Sequence, residues 1–421
     1  MFENLIDQGV CDLLRSDIQN SRLPPSMLFY GREAQGKLTC ALEVARILSC
    51  ERTEALWTCD CPSCVLHRAL SHPDLLIIGS RDCTSEIRAA GATFLSKPQA
   101  STRYLFLRSI RKLTLRFSGQ TVNTDDARFA RAIPHLSDIE EYLEEIDPSR
   151  PIEGDTTKLE KIIKAIIDKC EKLESDSLPE SIPVSQIRNA STWSRLVPYG
   201  KQKVLIVDNA DRMQEGARNA FLKILEEPPE HMVFVLTTSR RGAMLPTILS
   251  RVRTYAFVER PDKSLALVVS RVFHDSLRDG ENLGDFFNRF LPVDPATIRL
   301  AAALFLDYVL RHALDRGKSS PPCLPSILEA DIGSNARVEA LSGIISLLQK
   351  CRPPVIWRLF LSSLTALLQR SIRTGQATAA EIAVYSQWTS LLGESVSAVD
   401  TYNITPLATL ERLSVAMGDS L

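Results

Sequence analysis

The sequence predicts an α/β domain built on a parallel sheet with helices on both faces, followed by an all-helical region. Two stretches predict the sheet: 203–238 gives a strand, a helix and a strand in that order, and 27–49 gives a strand, a glycine-rich loop and a helix. Short, wholly apolar runs in such units suit strands buried on both faces. Beyond Arg260 and Pro261 no further strand pattern occurs, so the remainder is expected to be helical.

Length and composition are those of an ordinary globular chain. Its 421 residues allow two or three domains, and 44% hydrophobic with 24% charged residues is typical of soluble proteins. Because the net charge is −1, contact with nucleic acid requires a local basic patch. No apolar run reaches the roughly 18–20 residues of a membrane span, and the N-terminus lacks a basic signal-peptide region. The expectation is a cytoplasmic protein without membrane contact.

The first strand runs directly into a phosphate-binding pattern, GxxxxGK. Gly31 and Gly36 let backbone N–H groups turn inward, Lys37 supplies a positive charge, and the following helix adds its dipole. The next position normally carries Ser or Thr as a Mg²⁺ ligand, and here it is Leu38, with Thr39 one residue late, about 100° further round the helix. The loop therefore predicts ATP binding without efficient Mg²⁺-dependent hydrolysis, and a glycine turn that never meets a nucleotide is the alternative.

A cysteine module follows the helix of that loop. Four thiols within fifteen residues match a tetrahedral zinc site, with Pro62 shaping the turn. Disulfides and free buried thiols are the alternatives, but the central pair is too close in sequence for an easy bridge. All four ligand positions are filled, so the zinc would be structural, and surface or packing roles are expected for His67 and His72. The predicted zinc ligands are Cys50, Cys59, Cys61 and Cys64.

The sheet pattern is interrupted over about 80–181, which predicts an inserted, partly helical subdomain. Within it, 97–117 is basic with interleaved aromatic residues. The preferred interpretation is a solvated, strand-like surface, because charge runs are usually only that. A surface that follows a nucleic-acid backbone is the other interpretation. Apolar residues over 159–173 recur at helical spacing and predict an amphipathic helix.

Three polar residues fall at or just beyond the predicted strand ends in 203–251. They are Asp208, Thr238 and Arg251. In open α/β sheets, function is expected at the carboxyl ends of the strands. The helical remainder shows no catalytic spacing, and it is expected to serve packing and assembly. Apolar helical faces recur there along 297–313, 336–349, 354–371, 378–393 and 405–417.

These motifs together resemble a known family. GREAQGK, the four-cysteine module, HPDLL, PYGKQKVLIVDNADRM, NAFLKILEEPPEHMVFVLTT and LPTILSR occur in the order seen in bacterial clamp-loader subunits of the AAA+ class. The chain resembles the delta-prime type of the DNA polymerase III holoenzyme more closely than the ATP-hydrolysing gamma/tau type. The matching segments cover about 20–80 and 183–260.

The resemblance implies a domain organisation. An AAA+ P-loop core would span 1–260, with the zinc module at 50–64 and the insertion at about 80–181. A small helical lid would follow at 261–294, and an all-helical collar for oligomerisation would occupy 295–421. The insertion has no counterpart in the family pattern.

The resemblance also implies roles for the site residues. Hydrolysing members end the third core strand in an Asp-Glu pair, whose Asp holds Mg²⁺ and whose Glu polarises water. Here the pair is Asp208-Asn209, and an amide cannot accept that proton. Thr238 occupies the sensor position, and Arg251 is the arginine finger that reaches a neighbour's nucleotide. A surface salt bridge is the alternative for Arg251.

The expected function is therefore a non-hydrolysing subunit of a clamp-loader ring, with no polymerase active site of its own. Its partners would be gamma/tau-type and delta-type subunits and, through the complex, the sliding clamp and primer-template DNA. Two other interpretations stay open. One is an active gamma/tau-like ATPase in which Thr39 replaces the missing Mg²⁺ ligand, and the other is a DNA-binding adaptor that acts through the basic insertion.

Overall fold

The computed structural model describes most of the chain in two compact units, Met1–Phe290 and Leu291–Leu421. The predicted lid and collar boundaries stay predictions, and the predicted helix over 336–349 lies partly outside the described residues. Within the described residues, none of the helices is both long enough and apolar enough to cross a bilayer. The described residues are 1–80, 83–121, 126–151, 156–179, 181–291, 293–319, 321–333, 340–348, 353–373, 378–400 and 404–421.

The first unit is built on a five-stranded sheet in which every described pair of neighbouring strands is parallel. The order β2-β3-β4-β1-β5 places β4 between β3 and β1. The carboxyl ends of these three strands therefore meet at one edge, and the predicted α/β class with a parallel sheet is confirmed. The strands are β1 Ser26–Tyr30, β2 Leu75–Gly79, β3 Lys203–Asp208, β4 Met232–Thr238 and β5 Arg253–Ala256.

Helices cover both faces of this sheet, because alternate strand residues enter two separate cores. Phe29, Ile77 and Val235 pack with the first helices of the chain, whereas Leu28 and Leu236 pack with the later ones. Both sets are buried, as the uninterrupted apolar runs require. The first-face helices are α1 Val10–Gln19, α2 Lys37–Ser49 and α3 Pro62–Arg68, and the second-face helices are α8 Val184–Ser194, α9 Glu215–Glu226 and α10 Pro246–Leu249.

Between β2 and α8 the described chain is helical, with its own apolar core. The strand-like interpretation of 97–117 is wrong: this stretch forms α5 and a short 3-10 turn, Leu115–Phe117. Its apolar positions Phe106, Ile110 and Leu113 recur at helical spacing and are buried. The inserted helices are α4 Thr84–Ser96, α5 Ala100–Thr114, α6 Ala127–Glu145 and α7 Thr156–Ser177.

After β5 the described chain is helical to its end, as predicted. Two helices and a π-helical turn, Val269–Phe273, complete the first unit, and the second unit packs around Phe305, Trp357 and Trp388. The helices are α11 Asp262–Val268, α12 Leu283–Asn288, α13 Pro295–Asp315, α14 Cys323–Ile332, α15 Leu341–Leu348, α16 Pro353–Arg373, α17 Ala379–Asp400 and α18 Pro406–Asp419.

Candidate functional site: the carboxyl edge of the sheet and a four-cysteine cluster

The phosphate-binding pattern forms a loop between β1 and α2. Gly31 has φ +151°, and a Cβ there would lie 2.2 Å from the carbonyl oxygen of Phe257, so this position accepts only glycine. Gly36 caps α2 in the left-handed conformation at φ +87°. The sequence thus folds into strand, tight loop and helix, with the first turn of α2 directly following the loop.

Lys37 of this loop is folded onto the loop itself. Its Nζ donates to the carbonyl oxygens of Gly31 at 2.6 Å and Arg32 at 2.5 Å. Leu38 is buried and supplies no oxygen, while Thr39 is half-buried one position further along α2. The Lys37 ammonium group, held by these carbonyl oxygens, joins the two ends of the loop. To bind the ammonium group, a phosphate would have to replace the carbonyl oxygens as its hydrogen-bond partners.

Asp208, at the carboxyl end of β3, is buried and bonded on both carboxylate oxygens. Its Oδ1 accepts a 2.6 Å hydrogen bond from the Thr237 hydroxyl of β4. Its Oδ2 accepts a 2.7 Å bond from Nη2 of Arg116, which belongs to the inserted subdomain. The aspartate whose equivalent holds Mg²⁺ in hydrolysing members is therefore bonded here to a guanidinium and a hydroxyl.

Asn209 follows in the left-handed conformation, with φ 55° and ψ 54°. Its backbone N–H donates to Oγ1 of Thr237 at 3.2 Å. An amide in this place supplies no general base for water activation.

Thr238, the predicted sensor residue, contacts another carboxylate. Its hydroxyl donates to Oδ1 of Asp211 at 2.7 Å. Asp211 is buried, and its Oδ2 pairs with Arg240 at 2.8 Å. The edge of β4 thus carries two hydroxyls in succession, and each one is used to orient an aspartate.

Arg251 lies just after α10 and is exposed. Its Nη2 pairs with Oε1 of Glu226 at 2.8 Å, and its Nη1 donates to the carbonyl oxygen of Thr247 at 2.9 Å. Both partners are surface residues with exposed contacts. The guanidinium therefore remains accessible to a second molecule, as an arginine finger requires.

The four predicted zinc ligands come together in one buried cluster. Their sulfur atoms lie within 4.8 Å of one another, and Sγ of Cys50 and Sγ of Cys59 are 3.7 Å apart. Zinc–sulfur bonds of about 2.3 Å in tetrahedral geometry separate sulfurs by about 3.8 Å. The cysteines within the described residues form no disulfide. The donor set and its spacing therefore fit a zinc ion.

A buried ion pair supports this cluster from α2. Arg46 donates to both carboxylate oxygens of Glu43, at 2.6 and 2.9 Å, and to Sγ of Cys64 at 3.0 Å. Its Nη2 and Nη1 also reach the carbonyl oxygens of Ala55 and Leu56, at 2.6 and 3.0 Å. The phosphate-loop helix and the cysteine loop are thus one structural piece.

His67 and His72 pack beside the cluster as a stacked pair. Their ring centroids are 4.1 Å apart with an interplanar angle of 13°. Both ring nitrogens of His67 are buried without a hydrogen-bond partner. Burial, with His72, Arg108 and Arg46 nearby, lowers the pKa of His67 to about 2. A packing role, not a surface role, follows for both histidines.

The basic residues of 97–117 are used inside the chain. Arg103 donates to the carbonyl oxygens of Asp147 and Arg150, Arg108 to those of His67 and Arg68, and Arg111 to that of Ala69. Lys112 pairs with Glu86. These basic side chains already bind carbonyl oxygens and a carboxylate of this chain. They are therefore not arranged to bind the phosphates of a nucleic-acid backbone.

Sequence reasoning missed several residues of this edge. Arg116 was counted only as one cation of a basic stretch, and Arg260 was noted only as the end of the strand signal. The guanidinium of Arg260 is buried, bonds the carbonyl oxygen of Ile6 at 2.7 Å, and lies 3.2 Å from where a Cβ on Gly36 would be. The apolar spacing before Arg116 is a signal for helix α5, whereas the pairing of Arg116 with Asp208, 92 residues away, has no local signal.

Comparison with protein families gives one match to this architecture. The family described as "DNA polymerase III, delta subunit" matches residues 6–125 and 147–261, which is more than half of the chain. The match includes the phosphate-loop region, the cysteine cluster and all five strands. It also includes most of 80–181, so the expectation that this segment has no counterpart in the family is wrong for the matched residues.

Individual relatives match shorter stretches. The DNA polymerase III subunit gamma/tau of Mycobacterium tuberculosis is 39% identical over 72 residues, which are 17% of this chain and 12% of that protein. The DNA polymerase III subunit delta' of Bacillus subtilis is 31% identical over 106 residues, 23% of this chain and 32% of that one. The matches thus span less than a third of either relative.

A solved structure, of a DNA polymerase III gamma subunit-related protein from Thermotoga maritima, is similar over 62% of this chain and 90% of its own. The sequence identity is 20% and the TM-score is 0.29.

Proposed function

This chain belongs to the DNA polymerase III delta subunit family, and we propose that it is a delta-prime-like subunit of a bacterial sliding-clamp loader. In this role it would bind its neighbours in a ring, hydrolyse no ATP itself, and offer Arg251 to the nucleotide site of an adjacent ATPase subunit. The neighbours would be gamma/tau-type and delta-type subunits. The complex would act on the sliding clamp and on primer-template DNA.

The observation that carries this proposal is the contrast between Asn209 and Arg251. Asn209 stands beside Asp208 where hydrolysing members place a general base, and its side chain is an amide. Arg251 is exposed and is held by Glu226 and Thr247 at the surface. With Asn209 the nucleotide site of this chain lacks its general base, while Arg251 is exposed at the surface. This combination suits a subunit that contributes to the nucleotide site of a neighbour.

Nucleotide binding is the second part of the proposal. Gly31, Gly36 and Lys37 would cradle the phosphates, with Thr39, Asp208 and Thr238 around the terminal phosphate. The left-handed cap at Gly36 and the position of the loop at the N-terminus of α2 support phosphate contact. Leu38 argues against a Mg²⁺-loaded, hydrolysing arrangement.

We also propose that the four-cysteine cluster holds structural zinc. Cys50, Cys59, Cys61 and Cys64 fill all four tetrahedral positions, so no position stays open for a substrate or water. When bound, zinc would fix the loop between α2 and α3, which has little apolar core of its own.

The test is reconstitution. The full chain is purified with candidate gamma/tau-type and delta-type subunits, and ATP turnover is measured for each subunit alone and for the complex. The proposal expects turnover below about 0.01 s⁻¹ for the isolated chain and faster turnover by the complex when this chain is included. Turnover of about 0.1 s⁻¹ or more by the isolated chain, abolished by Lys37→Ala, would instead establish an active gamma/tau-like ATPase.

A further inference from the structure

The inference concerns the cation that faces Asp208. Both members of the Arg116–Asp208 pair are buried: the side chain of Arg116 is 0% exposed and that of Asp208 is 4% exposed. The pair joins the inserted subdomain to the end of β3, and Thr237 occupies the other carboxylate oxygen at 2.6 Å. A buried carboxylate needs a compensating positive charge, and here the chain supplies one.

The structure holds Arg116 in this place from two sides. Its Nε donates to the carbonyl oxygen of Lys112 at 3.1 Å, which fixes the guanidinium against the end of α5. Gly79, at the end of β2, leaves the space it needs, because a Cβ there would lie 2.5 Å from Nη1 of Arg116 and 2.4 Å from the Asp208 carbonyl oxygen. The core strand is thus shaped to accept a side chain from the insertion.

A magnesium ion does not fit the same residues. Mg²⁺ requires oxygen ligands at about 2.0–2.1 Å, and P-loop NTPases supply them from the loop Ser or Thr and from the aspartate after the third strand. Leu38 has no side-chain oxygen to offer. The Asp208 carboxylate already bonds a guanidinium 2.7 Å away, and that positive charge would repel the ion.

We propose that Arg116 is the permanent counter-ion of Asp208 and takes the place of a divalent cation in this core. The inserted subdomain is then part of the phosphate-loop domain, because it supplies the charge that the aspartate requires. Arg116 acts as a positioning residue, through Asp208. The inference rests on the proposed absence of hydrolysis, but it concerns the metal dependence of this chain alone.

The first experiment is thermal unfolding of the full chain with 10 mM MgCl₂ or 1 mM MnCl₂, against NaCl of equal ionic strength. No chelator is added, so the cysteine cluster keeps its metal. The expected result is a Tm change below about 1 °C for either ion. A rise above about 3 °C in the wild-type chain, lost in Asp208→Asn, would show that the aspartate binds metal and would overturn the inference.

The second experiment uses Arg116→Met, which keeps side-chain length and removes the charge. Removing this buried positive charge from Asp208 should lower Tm by at least about 5 °C. Adding Asp208→Asn should recover at least half of that loss, because the double variant buries no unpaired charge. In Arg116→Met alone, Mn²⁺ should now raise Tm, because the guanidinium that repels the ion is gone. No recovery in the double variant would overturn the inference.

Arg103→Met is the matched control. Arg103 is another buried arginine of the insertion, and within the described residues its guanidinium bonds the carbonyl oxygens of Asp147 and Arg150, not a carboxylate. Its loss should lower Tm without any Mn²⁺ response and without recovery by Asp208→Asn. If Arg116→Met does not fold, a folded double variant still supports the inference, and failure of both overturns it. The ATP turnover assay of the subunits is a separate readout. The proposed function and the counter-ion role of Arg116 can therefore fail independently of one another.

Discussion

Nη1 of Arg46 donates a 3.0 Å hydrogen bond to Sγ of Cys64, and so the helix that begins at the phosphate loop also supports the cysteine cluster. Four thiolates around one Zn²⁺ carry a net negative charge, and the hydrogen bond from Arg46 would stabilise one of these thiolates. Residues that hydrogen-bond the metal ligands, without binding the metal themselves, fix the orientation of those ligands and tune metal affinity. The zinc proposal therefore predicts a loss of structure in α2 as well as in the cysteine loop when the metal is removed.

Cys64→Ser should abolish stable zinc binding. Three thiolates and a hydroxyl form a much weaker site, and the folding free energy that the metal contributes is lost with it. Metal analysis of freshly purified protein should give about one equivalent of zinc for the wild-type chain and less than about half an equivalent for the variant. Cys170→Ser, a buried cysteine of α7 outside the cluster, should keep the zinc. Equal zinc content in wild type and Cys64→Ser would contradict the site.

Arg251→Ala should leave the fold intact and lower ATP turnover of the reconstituted complex. An arginine finger stabilises charge on the transferring phosphoryl group and accounts for about 10³–10⁵ in rate at the site it serves. Because a ring has several sites, we expect a loss of at least about twofold in total turnover. Arg251→Lys should restore little, since an ammonium group lacks the planar fork of donors.

Arg253→Ala is the control for that experiment. Arg253 is a nearby exposed arginine on β5, and it pairs with Asp17 at 3.2 Å. Glu226→Gln, which removes the carboxylate partner of Arg251, should keep or raise turnover. Unchanged turnover with Arg251→Ala would show that the residue only makes a surface salt bridge.

Arg108→Gln and Arg111→Gln should change DNA affinity of the isolated chain by less than about twofold. Their guanidinium groups are engaged by the carbonyl oxygens of His67, Arg68 and Ala69. The same variants should lower Tm, because partly buried carbonyl oxygens lose their donors.

Lys97→Gln, an exposed cation at the start of the same stretch, serves as the surface control. A DNA-binding insertion would behave differently. The slope of log K against log salt concentration, where K is the DNA-binding constant, would then become less steep by about 1 for each phosphate-contacting arginine removed.

The parts of this structure that local sequence determines were predictable. Strands β1 to β4 are uninterrupted apolar runs, and the four cysteines lie within fifteen residues, so both signals are contained in short windows. Strand β5 was missed because Arg253–Ala256 is a short edge strand in which only Tyr255 is fully buried. An edge strand carries few apolar residues, and its sequence therefore resembles a loop.

The contacts that determine the chemistry of the sheet edge were not predictable in the same way. Arg116 and Asp208 lie 92 positions apart, and the sequence around either residue does not indicate that the two form an ion pair. The basic composition of 97–117 suggested a solvated surface, although Phe106, Ile110, Leu113 and Phe117 follow helical spacing. The interpretation of 97–117 as a surface rested on its charged residues. The stretch forms a helix because its apolar residues pack on one face.

His67→Phe should make the free energy of unfolding less sensitive to acid. The pKa of His67 is about 2 in the folded chain, because burial disfavours the charged ring, against about 6.5 when unfolded. Below pH 6.5 only the unfolded state therefore takes up a proton at this residue, and stability falls as pH falls. Between pH 8 and pH 5.5 the wild-type chain should lose about 1.4 kcal/mol more than His67→Phe does.

Phenylalanine suits this position because both ring nitrogens of His67 lack hydrogen-bond partners and the ring stacks on His72. The variant should thus be as stable as wild type at pH 8, measured by urea unfolding. His312→Gln, which removes an exposed imidazole of α13, should follow the wild-type pH profile. Zinc content is measured at each pH, so acid release of metal is separated from titration of His67. Parallel profiles for wild type and His67→Phe would contradict the lowered pKa of His67.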